Sequence, residues 1–578
     1  MSINSLPKCW DIVVVGGGIT GAGIFREAVR MGLQTLLLEQ KDFAWGTSSR
    51  SSKMVHGGLR YLKQGQILLT RTSVIERQRL LREAPGLVEP LEFLTPVFKE
   101  QSPGFFMMGA GLAIYSLLAG SIQHRYYSKN DFLKRVPFLR SKSLKGGYSF
   151  WDAGVDDARL VLRLINEGQD QKRLNHKINL NIRAGNSNIS VVNSNNSEDN
   201  GKALNYTKVK RVLRDEQGFV KGVLIEDTFS GEERIIETSV VINASGAWAS
   251  NLHPSSDPKL HLRPLRGSHL IFPHFRLPIG QVISFIHPED RRPVFIFPWE
   301  GATFLGTTDV DHKNLTIDQE PVISKDEVLY LMEGFKWAFP DVNLSINDSI
   351  ASIAGIRPVL SSGKLKPSEE SREHVVWKDK GLVTVTGGKL TTFRKLAVDT
   401  LNAAQTFMRV KKSPMVDVPI FDLYSGECSN VNSKLGYGSN YNLGYDTHSG
   451  DNYNNSGIPS CPRCDLSIKW WRRLYGRYGS RALEIIQNSK REDLTQIPQT
   501  NYLWAELPYA AANEQVHTLD DLLMRRVRIG LILPRGGEEH FSRIKKLCQH
   551  VLGWDDHHFN QEIIRYRELW QRAYSVPK

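Results

Sequence analysis

Gly16-x-Gly18-x-x-Gly21 follows directly on a strand-like run, Trp10-Asp-Ile-Val-Val-Val15, and opens a segment of helical periodicity that reaches Met31. A second apolar run, Gln34-Thr-Leu-Leu-Leu38, then ends on Glu39, 18 residues after Gly21. Strand, glycine turn, helix, strand and acid in this order make a βαβ unit that binds a dinucleotide. The glycines let the backbone turn tightly and approach a pyrophosphate, and the helix start offers unpaired N–H groups to it. The carboxylate receives ribose hydroxyls, and an acid at that strand end disfavours a 2′-phosphate. By itself the motif leaves NAD and FAD open.

At 578 residues the chain has room for about three to five domain-sized units, some of them non-contiguous. With 40% hydrophobic and 23% charged residues, it is neither collagen-like, coiled-coil nor wholly disordered. A helix is expected at about 66–82, and strand-like runs recur at Val240–Ile242, Val294–Phe297, Thr303–Leu305 and Leu382–Val385. Their wide spacing predicts one sheet assembled from distant segments. Two stretches rich in Asn, Ser and Gly, 186–205 and 425–460, read as mobile, the second as a linker. Beyond it, residues 465–578 alternate Arg with aromatics at helical spacing and predict a separate helical domain.

The formal charge is +13, and residues 41–140 hold 15 Lys and Arg against 7 Asp and Glu, an electrostatic footprint for something anionic. The same segment contains the longest apolar run, Gly104–Gly120, which at 17 residues is short of the ~20 that a membrane-spanning helix needs. A buried helix is the expectation, with a surface-lying, lipid-contacting helix flanked by Arg125, Lys129, Lys134, Arg135 and Arg140 as the alternative. Five scattered cysteines point to a reducing compartment, and Cys461-Pro-Arg-Cys464 has no second pair to complete a zinc site, so no metal is expected. The opening residues show no secretory or mitochondrial leader pattern, which predicts a prokaryotic-type cytosolic address.

Thr47-Ser-Ser-Arg-Ser-Ser-Lys53 and His56-Gly-Gly-Leu-Arg-Tyr61 form a loop dense in hydroxyls and cations, suited to an anion. Here the chain resembles the FAD-dependent glycerol-3-phosphate dehydrogenases, through VVVGGGITGAGI (13–24), TSSRSSKMVHGGLRYL (47–62), WDAGVDDARLVL (151–162), VINASGAWA (241–249), LRGSHLIFP (265–273), FLGTTDVD (304–311), AGIRPVL (354–360) and TVTGGKLTTFRKLA (384–397). YGRYGSRA and DDLLMRRVRIGL look like that family's C-terminal helical domain. One departure is Ala244-Ser-Gly246, where the wider superfamily often has Ala-Thr-Gly, a small-for-small change.

The resemblance implies an α/β fold: a Rossmann-like FAD-binding domain from 1–95, 151–255 and 350–412, an α+β substrate domain from 96–150 and 256–349, a linker at 425–460 and an all-helical domain at 465–578. It implies FAD held by Gly16, Gly18, Gly21, Glu39, Thr47, Ser48, Ser52, His56, Gly57, Gly58, Ala244, Gly246, Gly388, Lys389, Leu390 and Thr391. It implies glycerol 3-phosphate bound by Arg60, Tyr61, His269, Arg357 and Arg372, with His269, Arg357, Lys389 and Arg60 in the catalytic set. Hydride transfer from a secondary alcohol needs a base, for which His269 is the candidate because its ordinary pKa lies near neutrality. Electrons are then expected to pass to a membrane quinone from a protein attached peripherally to an acidic inner membrane face, with a homodimer left open. Two alternatives remain: a soluble oxidase that uses oxygen, and an FAD-holding RNA-binding protein, though no recognisable RNA-binding module is present.

Overall fold

The computed structural model describes residues 3–63, 65–99, 104–120, 124–170, 200–253, 262–313, 315–316, 319–361, 370, 373–409, 411–414, 418–421, 461 and 466–577. Strand Ile12–Val15 lies inside a six-stranded sheet, in the spatial order His374–Asp379, Leu382–Gly387, Val241–Asn243, Ile12–Val15, Thr35–Leu38, Gly201–Leu204. All neighbours are parallel except the first pair. Every residue of Ile12–Val15 and Thr35–Leu38 is buried, as strands covered on both faces require, which is why they read as continuous apolar runs. One face carries helix Ile19–Arg30 against helices Asp157–Gln169 and Phe393–Ala404. The other packs Val13, Val15, Leu36 and Leu38 on a three-stranded antiparallel layer, Thr207–Arg214, Val220–Asp227 and Glu233–Glu237.

Gly201–Leu204 corrects the expectation of a mobile 186–205 stretch. It pairs in register with Thr35–Leu38, a four-residue strand hidden by its Asn-rich flank. The remainder of that stretch up to residue 199, and the expected linker, lie outside the described residues.

A second sheet of ten strands lies beside the first. It contains Pro293–Trp299 and Ala302–Gly306, so the strand-like runs of the sequence belong to two sheets rather than one. An apolar run reveals burial but not which sheet it joins. Val88–Phe98 pairs antiparallel with Leu144–Val155 along its length, so boundaries at 95/96 and 150/151 would cut both strands. Ala351–Leu360 pairs residue by residue with Leu262–Pro273, which places it in the second sheet and not with the nucleotide-binding segments.

Residues 466–577 are helical, from Ile468–Tyr478 to Asp556–Ala573. They form the expected C-terminal helical domain, packed tightly on the rest: Tyr502, Leu522, Leu523 and Ile529 share one apolar core with Phe297, Trp299, Phe304 and Ile353 of the second sheet. Arginines that read as surface residues are buried here. Arg526 Nη2 donates to Asp42 Oδ1 at 2.7 Å, Arg525 reaches Asp42 and also Asp520 and Asp521 at 2.6 and 2.7 Å, and Arg477 donates to Asp156 at 2.9 Å. Arg528 joins Asp156, Asp157 and the carbonyl of Ser49. The Arg–aromatic alternation that admitted an RNA-binding reading is, at these positions, an internal ion-pair network.

Asp42 leaves two buried guanidinium groups short of a shared partner when it is removed. Asp42→Ala is therefore expected to lower the unfolding free energy by about 3–5 kcal/mol in urea denaturation. A loss below about 1 kcal/mol would contradict the network's role.

Candidate active site

The two sheets enclose a cavity of about 1390 Å³ at the carboxyl ends of the parallel strands. That exceeds the ~300–1,000 Å³ of a pocket for one drug-sized ligand. Its floor is the glycine turn. Gly16 has φ +111°, and a Cβ there would lie 2.7 Å from the Ala244 carbonyl oxygen, while one on Gly21 would collide with the carbonyl oxygen of Gly16. The helix thus starts hard against the turn. Its first amide, Ile19 N, is held by Ser48 Oγ at 2.9 Å.

Gly16, Gly18 and Glu39 line the cavity, and Gly21 sits beneath as the packing contact. The Glu39 carboxylate accepts the amides of Gly17 and Lys41 at 2.7 and 2.9 Å, and burial pushes its pKa up. Thr47, Ser48, Ser52, His56 and Gly58 line one wall. Gly57 does not. It is buried behind them, its amide on Asp152 Oδ1 at 3.1 Å. Ala244 and Gly246 line the opposite wall, and Gly388, Lys389, Leu390 and Thr391 a third. A bare glycine backbone, a carboxylate at the end of the second strand and amides at a helix start are what a dinucleotide requires, so these residues fit FAD.

At the other end Arg291, Arg292 and Arg357 line the cavity together with Asp290, Asp309 and Glu370. Arg357 donates to Asp309 Oδ1 (2.9 Å), the Thr308 carbonyl (3.2 Å) and Thr307 Oγ1 (3.0 Å). Lys389 Nζ lies 3.7 Å from the Tyr61 ring centroid and donates to Ser73 Oγ at 2.8 Å. His269 is one side chain behind the wall, 1% exposed, with Nε2 3.0 Å from Oγ of Ser52, which does line the cavity. Burial, then Arg357 and Lys53, hold the imidazole well below its ordinary pKa, so it is neutral. Arg60 lies on the helix Leu59–Lys63, but its side chain, like all of Arg372, is outside the described residues.

Sequence reasoning missed Arg292, Asp309, Trp45 and Trp248, all of which line the cavity. Asp309 had a signal, since it lies within the quoted segment FLGTTDVD. Arg292, in the turn Glu289-Asp-Arg-Arg292, had none. Helix Phe105–Leu118 also reaches the cavity through Met107, Gly111 and Ile114.

A dinucleotide cradle opening onto an arginine- and hydroxyl-lined end fits a flavoprotein oxidoreductase, and comparison with known proteins agrees. The model of the FAD dependent oxidoreductase family matches residues 11–174 and 195–394, and that of the C-terminal domain of alpha-glycerophosphate oxidase matches 444–559. The aerobic glycerol-3-phosphate dehydrogenase of Staphylococcus saprophyticus is 30% identical over 523 residues, 89% of this chain and 86% of that protein. Its Staphylococcus aureus counterpart is 31% identical over 526 residues, with the same coverage of both chains. The Bacillus halodurans glycerol-3-phosphate dehydrogenase complexed with FAD has the same fold, with a TM-score of 0.66 at 23% identity over 98% of this chain and 95% of that one. The chain belongs to the FAD-dependent glycerol-3-phosphate dehydrogenase family. It is an FAD-dependent enzyme, which resolves the choice that the glycine motif left open.

A valine at position 18 would project into the space where the pyrophosphate must approach. Purified Gly18→Val is expected to carry less than about a tenth of the flavin absorbance per chain of the wild type. Full flavin content would place the cofactor elsewhere.

The depressed pKa of His269 has a stability consequence. Below about pH 6.5 the unfolded chain takes up a proton that the folded imidazole refuses, so this contribution is present above pH 6.5 and is lost as pH falls. Between pH 6.5 and 5.5 the wild type should lose up to about 1 kcal/mol more unfolding free energy than His269→Asn. Parallel pH profiles would show a solvated histidine.

Proposed function

We propose that this enzyme oxidises sn-glycerol 3-phosphate to dihydroxyacetone phosphate and delivers the electrons to a membrane quinone. The observation that carries the substrate assignment is the pair of arginines at one end of the cavity, Arg357 and Arg292, continuous with the dinucleotide cradle. The names of the Staphylococcus relatives support the same reading.

Arg357 fixes the phosphate and thereby the distance of the carbinol carbon from the cradle. Ser52 Oγ, hydrogen-bonded to the neutral His269 imidazole, is held at the cavity wall, where it orients the carbinol hydroxyl. FAD, when bound, supplies the hydride acceptor. Lys389 stands among the cavity oxygens as a fixed positive charge, held by Ser73 and the Tyr61 face.

The acceptor assignment rests on helix Phe105–Leu118. The expected buried helix is instead half open: Leu112 and Tyr115 are buried, whereas Phe106 is 86% and Leu117 80% exposed. This apolar face would sink into a bilayer at a wall of the cavity. The flanking cations contribute less than the sequence suggested, because Arg135 is committed to Glu92 at 2.7 Å and Lys134 to Asp131 at 3.0 Å. No helix among the described residues is long and apolar enough to cross a membrane. The match to the C-terminal domain of alpha-glycerophosphate oxidase keeps oxygen as the second reading for the acceptor.

Anaerobic glycerol 3-phosphate is expected to bleach the flavin. Arg357→Ala should weaken that substrate by about 1.5–3 kcal/mol, and glycerol much less. No bleaching of the wild type would overturn the substrate assignment. Wild type should float with acidic liposomes, and Phe106→Asp/Leu117→Asp should not. Equal flotation, or none by the wild type, would remove this face from the membrane reading.

A further inference from the structure

We infer that Asp309 is a positioning residue that holds two arginines, Arg357 and Arg292, in register for one phosphate group. The inference rests on the proposed phosphate-monoester substrate. Its observation is a carboxylate shared between guanidinium groups from a strand and from a turn distant in sequence. Asp309 Oδ1 accepts Arg357 Nη1 at 2.9 Å, while Oδ2 faces Arg292 Nη2 at 3.6 Å. The Asp309 side chain is 2% exposed, yet all three residues line the cavity.

The three come from separate segments. Arg357 is on strand Ala351–Leu360, Arg292 in the turn before Pro293–Trp299, and Asp309 between Ala302–Gly306 and Val310–Asp311. Arg357 lies across Gly267, where a Cβ would collide with its guanidinium, and it also donates from Nη1 to the Thr308 carbonyl and from Nη2 to Thr307 Oγ1. Its plane is thus set from one side. Arg292 is less completely held. Its Nε is buried without a hydrogen-bond partner, and Asp290 stands 3.9 Å away. A second guanidinium, paired with Asp309 and lining the same cavity, is suited to a tetrahedral anion that accepts from both arginines.

Coulomb's law alone gives the opposite expectation, which makes the inference sharp. A carboxylate beside an anion site lowers the local potential, so deleting its charge should tighten phosphate binding. If Asp309 acts by orientation, deletion should weaken it. Asparagine keeps the size and one acceptor oxygen for Arg357 but turns an N–H₂ group toward Arg292, releasing that guanidinium.

The test uses the FAD-loaded enzyme, with inorganic phosphate as probe by calorimetry and glycerol 3-phosphate by anaerobic flavin reduction. Asp309→Asn is expected to weaken inorganic phosphate and raise the half-saturating glycerol 3-phosphate concentration by roughly tenfold or more. The limiting reduction rate should stay within about threefold and the flavin spectrum should be unchanged. Asp309→Glu should recover part of the affinity. Unchanged or tighter phosphate binding by Asp309→Asn overturns the inference. If that variant does not fold, Arg292→Met decides: the same loss of phosphate affinity supports the shared cradle, and unchanged affinity overturns it. Wild type that binds phosphate but is not reduced by glycerol 3-phosphate defeats the proposed function and leaves the role of Asp309 standing, whereas no phosphate binding at all defeats both.

Discussion

The close approach of helix Ile19–Arg30 to the turn after Ile12–Val15 is the constraint on which the cavity depends. With Gly21 against the Gly16 carbonyl and Gly16 against Ala244, no side chain stands between the backbone and a bound pyrophosphate. The parallel neighbours Val241–Asn243 and Leu382–Gly387 extend that edge, so that Ala244, Gly246 and Gly388 arrive at the same cavity from segments more than a hundred residues apart. The second sheet then supplies what the first lacks, the arginines Arg357 and Arg292, carried on one of its strands and one of its turns.

The C-terminal helices close this arrangement from behind. Arg525 and Arg526 hold Asp42, three residues beyond Glu39, and Arg528 holds both Asp157 and the Ser49 carbonyl. Asp157 in turn receives Lys53 Nζ and Ser51 Oγ at 2.9 and 2.6 Å. The loop that presents Ser48 and Ser52 to the cavity is therefore fixed by charges from the other end of the chain. Buried ion pairs of this kind add little net stability compared with apolar packing, but losing one partner is costly, which gives the loop a defined position.

Much of the cradle was legible in the sequence because its chemistry is local. A glycine turn between two apolar runs and an acid at a fixed distance can be read from a few dozen residues, as can the hydroxyl-rich loop from Thr47. The roles given to His269 and Arg357 came from family resemblance, and the structure adds that His269 reaches the cavity through Ser52. What was not legible depends on partners distant in sequence. Strands Ala351–Leu360 and Pro293–Trp299 look like any buried strand until their neighbours are known. Arg525, Arg526 and Arg528 resemble surface arginines until Asp42, Asp156 and Asp157 are placed opposite them. The apolar run in Gly104–Gly120 shows a helix but not that one face is left open, because this depends on how much of it the second sheet and helix Ile67–Glu83 cover.

The central claim is that the dinucleotide cradle and the anion-binding arginines share a single cavity. The most direct test is the visible absorption of the FAD-loaded protein during titration with a phosphorylated alcohol analogue that cannot be oxidised. A shared cavity predicts a saturable perturbation of the flavin bands with the same midpoint as calorimetric binding. Saturable binding with an unperturbed flavin spectrum would contradict it, placing the anion away from the flavin.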